Sequence, residues 1–247
     1  RRTVRRLDAI LQELIDERRA AGAEGGDLLS LLLQARDEVD GRGISDRQIR
    51  DEVMTMFLAG HETTANALAW TWYLLGEHPQ VQMRLRDEVR QVLGDRQPTS
   101  ADVPRLTLCE RVLRESMRLY PPAYVIGRRP LEDVTIGRHF IPAGTNVLMS
   151  QWIVHRDPRW FPNPLAFDPD RWTDDFVREL PKYAYFPFGG GPRVCIGNTF
   201  AQYEATLILA MMVQRFTLAP VRPGPIRVQT GVTLRPGEPM EMKMGGW

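Results

Sequence analysis

Lysine is almost missing from this 247-residue chain: Lys182 and Lys243 are the only two among 32 basic residues. Arginine carries the remaining positive charge, which reads as a coding bias rather than a mechanism. The 31 acidic residues leave a net charge of +1. No global charge therefore draws the chain to nucleic acid or to an anionic membrane. Cysteine is equally scarce. Cys109 and Cys195 exclude a disulfide scaffold and fit a reducing, cytoplasmic compartment. No apolar run suits a membrane span, because the segment Val53 to Leu75 is broken at its centre by His61 and Glu62. Arg1-Arg2-Thr3 leads into no apolar signal core. No initiator Met precedes it, so the natural N-terminus is expected upstream. Internal repeats and low-complexity tracts are missing. So are a phosphate loop, a Gly-x-Ser-x-Gly elbow and a dinucleotide fingerprint. A zinc-protease start fails at its last place: His61-Glu62-Thr63-Thr64 is followed by Ala65, where a second histidine is required.

What is present is a globular composition, 43% hydrophobic, 26% charged and 9% aromatic, enough for one large domain or two small ones. The first half reads as helices. Thr3 to Ala21 places Leu7, Ile10, Leu11 and Leu14 on one stripe. The basic cluster Arg1, Arg2, Arg5 and Arg6 is followed by Asp8, Glu13, Asp16 and Glu17, which marks a solvated face. Asp27 to Arg36 holds a short apolar run. Ser45-Asp46-Arg47-Gln48 is a capping-box pattern. It opens a Pro-free segment to Glu77, long enough to cross a domain. Pro79 starts the next helix, which ends near Gly94. A further helix from Leu106 to Tyr120 stops at Pro121-Pro122. Val125 to Met149 then reads as short strands around Gly137 and Pro142-Ala143-Gly144. Asp157 to Pro192 is rich in Pro, Gly and aromatics, with a short helix near Asp174 to Leu180. Gly197 to Phe216 is helical, and Val221 to Met244 returns to short strands.

The strongest chemical signal is Phe188-Gly189-Gly190-Gly191-Pro192-Arg193-Val194-Cys195-Ile196-Gly197. Its glycines let backbone pass close to something flat or bulky. Its cysteine precedes a helix, where backbone N–H groups and the helix dipole favour a thiolate. Arg193 can pair with an anionic group of the ligand. Most free cysteines are inert small hydrophobes, but the full pattern overrides that default. Phe188, Gly191, Arg193, Cys195 and Gly197 resemble the haem-binding signature of the cytochrome P-450 family at every defined position. The resemblance implies that Cys195 is the axial thiolate of haem iron, which favours O–O cleavage.

Three further stretches carry the same resemblance. Ala59-Gly60-His61-Glu62-Thr63-Thr64 is similar to the family's oxygen-activation pattern. A Thr hydroxyl bonding back to the preceding turn, with Gly60 beside it, predicts a local widening of the helix there. By resemblance, Thr63 orients dioxygen and Glu62 relays protons, with Ala59 and Gly60 beside the cofactor. Taken alone, the same stretch also reads as a buried Thr beside a surface Glu. Glu115 and Arg118 lie one turn apart, which by itself is an ordinary surface ion pair. They resemble the family's Glu-x-x-Arg pair, and Phe167-Asp168-Pro169-Asp170-Arg171-Trp172 resembles the stretch that supplies its third partner. Glu115, Arg118 and Arg171 are then a structural network, costly to break one member at a time. Arg128 stands where the family sets an arginine against a haem propionate, with Arg129 as the alternative. Ala123, Tyr124 and Val125, and Val232 in the turn Gly231-Val232-Thr233, match substrate-contact segments and equally suit core packing. Cys109 belongs to no motif.

The resemblance implies a mostly α fold with a small β component. Residues 1–247 would be the C-terminal portion of one cytochrome P-450 domain, with the N-terminal part absent. It implies haem b as cofactor and a monooxygenase that places one atom of O₂ in a small hydrophobic substrate. Electrons would come from a separate ferredoxin-type, flavodoxin-type or reductase partner, since the chain has no nicotinamide or flavin motif. Two alternatives stay open: a truncated, non-catalytic haem-binding fragment, and a haem-thiolate peroxygenase or isomerase.

Overall fold

The computed structural model describes residues 2–22, 25–37 and 41–247. They fall into two compact units, the first ending at Glu62 and the second beginning at Thr63. The boundary lies inside one long helix.

In the first unit, helix α1 (Arg2–Ala20) and helix α2 (Leu28–Gln34) precede the long helix α3 (Asp46–Glu77). Asp27 caps α2 by accepting from the Ser30 N–H. The capping box at the start of α3 forms as its pattern requires: Gln48 N–H donates to Ser45 Oγ and Ser45 N–H to Gln48 Oε1. The apolar stripe of α1 differs from the expected one. Leu11 and Ile15 are buried, while Ile10 and Leu14 are exposed. Spacings of three and four leave two rows available, and the i, i+4 row containing Ile15 is the one that is covered. Arg2, Arg5 and Arg6 are solvated; Arg1 lies outside the described residues. Arg19 pairs with Asp46 at 2.5 Å and Arg50 with Asp8 at 2.7 Å, each joining α1 to the first turns of α3.

The second unit holds the main core. The end of α3, helix α4 (Pro79–Leu93), helix α5 (Thr107–Leu119) and helix α8 (Asn198–Arg215) surround Trp70, Leu75, Leu85, Val89, Leu113 and Leu209. Four antiparallel two-stranded ladders flank them. Strand β1 (Ile126–Arg128) pairs with β4 (Val147–Met149), and β2 (Val134–Ile136) with β3 (His139–Ile141). Strand β5 (Phe216–Pro220) pairs with β8 (Met242–Gly246), and β6 (Val228–Thr230) with β7 (Leu234–Pro236). Short helices α6 (Gln151–Val154) and α7 (Asp174–Glu179) sit in the irregular stretch before the cysteine.

Two details fix α3 against the sheet. A Cβ on Gly76 would lie 3.0 Å from Pro220 Cδ and 2.8 Å from Met242 Cε, so glycine lets α3 approach β5 and β8 closely. Gln82 donates to Leu75 O and Leu218 O and accepts from Leu218 N–H. One buried amide thus ties α3, α4 and β5. No helix among the described residues is long and apolar enough to cross a membrane.

Candidate functional site

The loop before α8 is a tight backbone construction. Cys195 N–H donates to Phe188 O at 3.0 Å, and Gly189 N–H donates to Phe186 O at 2.9 Å. Gly189 and Gly191 have φ of +73° and +69°, a region that side chains disfavour. A Cβ on Gly190 would lie 2.4 Å from the Tyr183 ring, and one on Gly189 would lie 3.3 Å from Ile126 Cδ1. Strand β1, which carries Arg128, is therefore packed against this loop.

The loop presents its cysteine outward. Cys195 is exposed at the start of α8, and a Cβ on Gly197 would lie 3.9 Å from its Sγ. Around it Val194, Ile196 and Phe200 are exposed, Ile196 to 94%. Arg193 and Arg128 are also exposed. Arg128 donates to the Gly127 carbonyl, and neither arginine has an ion pair among the described residues. Apolar rim, free cations and an accessible thiol occupy one region of the chain. Phe188 is half-buried behind them.

Behind the loop lies the charged network. Glu115 and Arg118 are fully buried and doubly hydrogen-bonded, at 2.8 Å each. Arg171 donates to Glu115 at 3.0 Å. The Asp168 N–H and the Trp172 indole N–H supply two more donors, at 3.0 and 2.9 Å. Arg118 spends its remaining donors on the carbonyls of His155, Pro164 and Ala166. The sequence points to the three ions but not to Trp172 as a partner. Asp170 of the same stretch turns away and pairs with Arg84.

The expected substrate segments meet. Tyr124 Oη donates to Gly231 O at 3.1 Å, and Leu234 N–H donates to Pro122 O at 2.8 Å. Val232 at the turn is 95% exposed, and Ala123 and Val125 are half-buried. Asn66, one turn after Thr63 on the same helix face, donates to Thr233 Oγ1 at 3.1 Å. Sequence reasoning passes over Asn66 because its partner lies 167 residues away.

Ala59, Gly60 and Glu62 lie on the exposed surface of the first unit's part of α3. Thr63 is half-buried and Thr64 buried at the start of the second unit's part. The local widening expected here is not present: α3 runs as unbroken α-helix from Asp46 to Glu77. A Cβ on Gly60 would meet nothing within 4 Å, so no neighbour presses the helix open. Cys109 is buried, and burial beside the Glu88 charge pushes its thiol well above the ordinary range. It is inert.

Among the described residues no three His, Cys, Asp or Glu side chains gather to hold a metal ion. Of the two cysteines, Cys195 is the exposed one. The chain belongs to the cytochrome P450 family, whose profile matches residues 1–244. It is 43% identical over 238 residues to cyclooctatin synthase of Streptomyces melanosporofaciens, covering 96% of this chain and 52% of that protein. It is 40% identical over 228 residues to pentalenene oxygenase of Streptomyces avermitilis, covering 90% of this chain and 51% of that one. The crystal structure of the cytochrome P450DA haem domain superposes with a TM-score of 0.92 at 38% identity, over 99% of this chain and 55% of that one. The chain spans about half the length of the curated relatives it matches.

The family implies a haem, and the residues present fit one. A thiol stands clear of the backbone, two unpaired arginines suit two propionates, and exposed apolar side chains suit the porphyrin edge. A Cβ on Gly191 would meet nothing within 4 Å, so the approach there is open.

Proposed function

We propose that this chain carries the thiolate-ligand half of a haem monooxygenase acting on a hydrophobic substrate. The observation that carries the reading is the exposed Cys195 on a loop pinned by its own N–H to Phe188 O. Cys195 Sγ would hold the iron of haem b. Bound haem supplies the thiolate-ligated iron at which O₂ is reduced. Arg193 and Arg128 would pair with its propionates. Phe188 and the glycines at 189, 191 and 197 shape the loop around the ligand, and Val194 and Ile196 keep water from its edge. Thr63 holds a proton by its hydroxyl, and Glu62, exposed to solvent, resupplies it. Ala59 and Gly60 leave that stretch of helix smooth for a small ligand. Ala123, Tyr124, Val125 and Val232 contact the substrate. Glu115, Arg118 and Arg171 support the loop without touching reactants.

The overall change converts R–H, O₂, two electrons and two protons into R–OH and water. The electrons come from a separate ferredoxin-type, flavodoxin-type or reductase donor. The substrate belongs to the apolar class named in pentalenene oxygenase and cyclooctat-9-en-7-ol 5-monooxygenase. A free, exposed thiol suits the reducing cytoplasm.

The test is the reduced carbon monoxide difference spectrum of the haem-supplemented chain, beside Cys195→Ser. A strongly red-shifted thiolate-type band that disappears in the variant is the expected result. A nitrogen-type band in both proteins overturns the assignment of Cys195.

A further inference from the structure

We infer that His155 is the positioning residue that couples the buried Glu115–Arg118–Arg171 network to the Cys195 loop. The inference rests on the haem-thiolate reading above for its meaning, but its geometry stands on the chain alone.

His155 is fully buried just after α6. Its two ends face two different structures. Its backbone carbonyl accepts from Arg118 Nη1 at 2.9 Å, which attaches it to the network. Its ring Nε2 accepts from the Phe186 N–H at 2.9 Å, which attaches it to the cysteine loop. An amide N–H only donates, so the ring is neutral with its proton on Nδ1. Nδ1 lies toward the Met117 carbonyl without reaching hydrogen-bond geometry. Burial and the Arg118 charge depress the ring's pKa to about 3, so the acceptor persists at neutral pH.

The path onward is continuous. Phe186 O accepts from Gly189 N–H, and Phe188 O accepts from Cys195 N–H. The ring also lies against Tyr185 and Phe186, with centroids at 5.0 and 5.3 Å. Tyr185 Oη gives the segment a second anchor on α5 by donating to Arg114 O at 3.0 Å. A buried histidine that merely fills space needs no acceptor aimed at one loop amide. Here the acceptor meets the part-buried Phe186 N–H, so its loss strips that donor of its partner. The loop that sets the height of Cys195 would then lose its fixed end.

The experiment compares His155→Phe, which keeps the ring volume without an acceptor, with His155→Gln, whose amide oxygen can accept. Amide hydrogen exchange is read at Phe186, Gly189 and Cys195, with the amides of α4 as internal reference. The thiolate-type fraction of the reduced carbon monoxide complex is read in the same proteins. H155F is expected to exchange about tenfold faster at the three loop amides, with α4 unchanged, and to lose thiolate-type complex. H155Q is expected to retain both. Loop exchange unchanged in H155F, or accelerated equally throughout the chain, overturns the inference. Should H155F not fold, two results still decide. H155Q must keep wild-type protection, and nitrogen-15 labelled wild type must show coupling across the Phe186 N–H···Nε2 bond; absence of either rejects the role. If wild type itself gives no thiolate-type band, the haem reading fails while the exchange data still judge His155.

Discussion

Glu115 has five hydrogen-bond donors directed at two oxygens, two of them from Arg118 and one each from Arg171, Trp172 and the Asp168 amide. A buried pair of this kind adds little net stability against an apolar substitute, but it is costly to break from one side. Glu115→Gln leaves Arg118 buried without a counter-charge and Arg171 with only Asp168, 4.0 Å away. It is expected to cost about 3–5 kcal/mol, read as a lower urea midpoint at unchanged slope. Trp172→Phe removes one donor to a charged acceptor and should cost about 1.5–3 kcal/mol. A loss of under about 1 kcal/mol in Glu115→Gln would show that the arginines find other partners. His155 contributes a pH dependence. Its ring titrates at about 3 when folded, against 6.5 ordinarily. The unfolded chain therefore binds a proton that the folded chain refuses. Stability from this group is complete above pH 6.5 and falls as the pH drops toward 3, by up to about 1.4 kcal/mol per unit. Wild type is expected to lose about 1.6 kcal/mol between pH 6.5 and 5, whereas His155→Gln stays flat over that interval. Parallel pH profiles would assign the loss to other groups.

At the scale of elements, the start of α5 is capped from outside its own sequence. Glu88 on α4 accepts from Thr107 Oγ1 at 3.0 Å and from the N–H groups of Leu108 and Cys109 at 2.7 and 3.0 Å. A carboxylate there satisfies free N–H groups and complements the helix dipole. Glu88→Ala is expected to cost about 1–2 kcal/mol in thermal unfolding. Glu88→Gln should cost less, since an amide oxygen still accepts; equal losses would deny the charge a role. This cap shows why parts of the fold were hidden in the sequence. The long helix, the Pro79 start and the Gly94 stop are written locally, in a capping box, a proline and a glycine. Strand β5 is not: Phe216–Pro220 continues an apolar run, and its partner β8 begins 22 residues later. Helix α6 is only four residues long, too short for a period to show. The cysteine loop was legible because its chemistry needs neighbours in sequence. Glu88, Asn66, His155 and the indole of Trp172 were not, because each acts on a residue far along the chain.

For the whole molecule, the division at Glu62 and Thr63 has an energetic basis. Among the described residues of the first unit, Leu11, Ile15 and Ile49 are the buried apolar side chains, supplemented by exposed ion pairs. Exposed pairs contribute little. The second unit buries the aromatic and aliphatic core around Trp70, Leu85 and Leu209, together with the charged network. Local opening follows such differences in burial. Helix α3 belongs to both units, so its two parts should differ in protection despite unbroken helical geometry. Native-state hydrogen exchange is expected to show residues 46–62 opening at lower free energy than 63–77, with the step near Thr63. Uniform protection along α3 would mean that the helix, rather than the unit, is the cooperative element. The expected step falls within Ala59-Gly60-His61-Glu62-Thr63-Thr64, the stretch that resembles the family's oxygen-activation pattern. On the proposed reading, Glu62 would then sit in the part of α3 that opens readily, and Thr63 in the part held by the core.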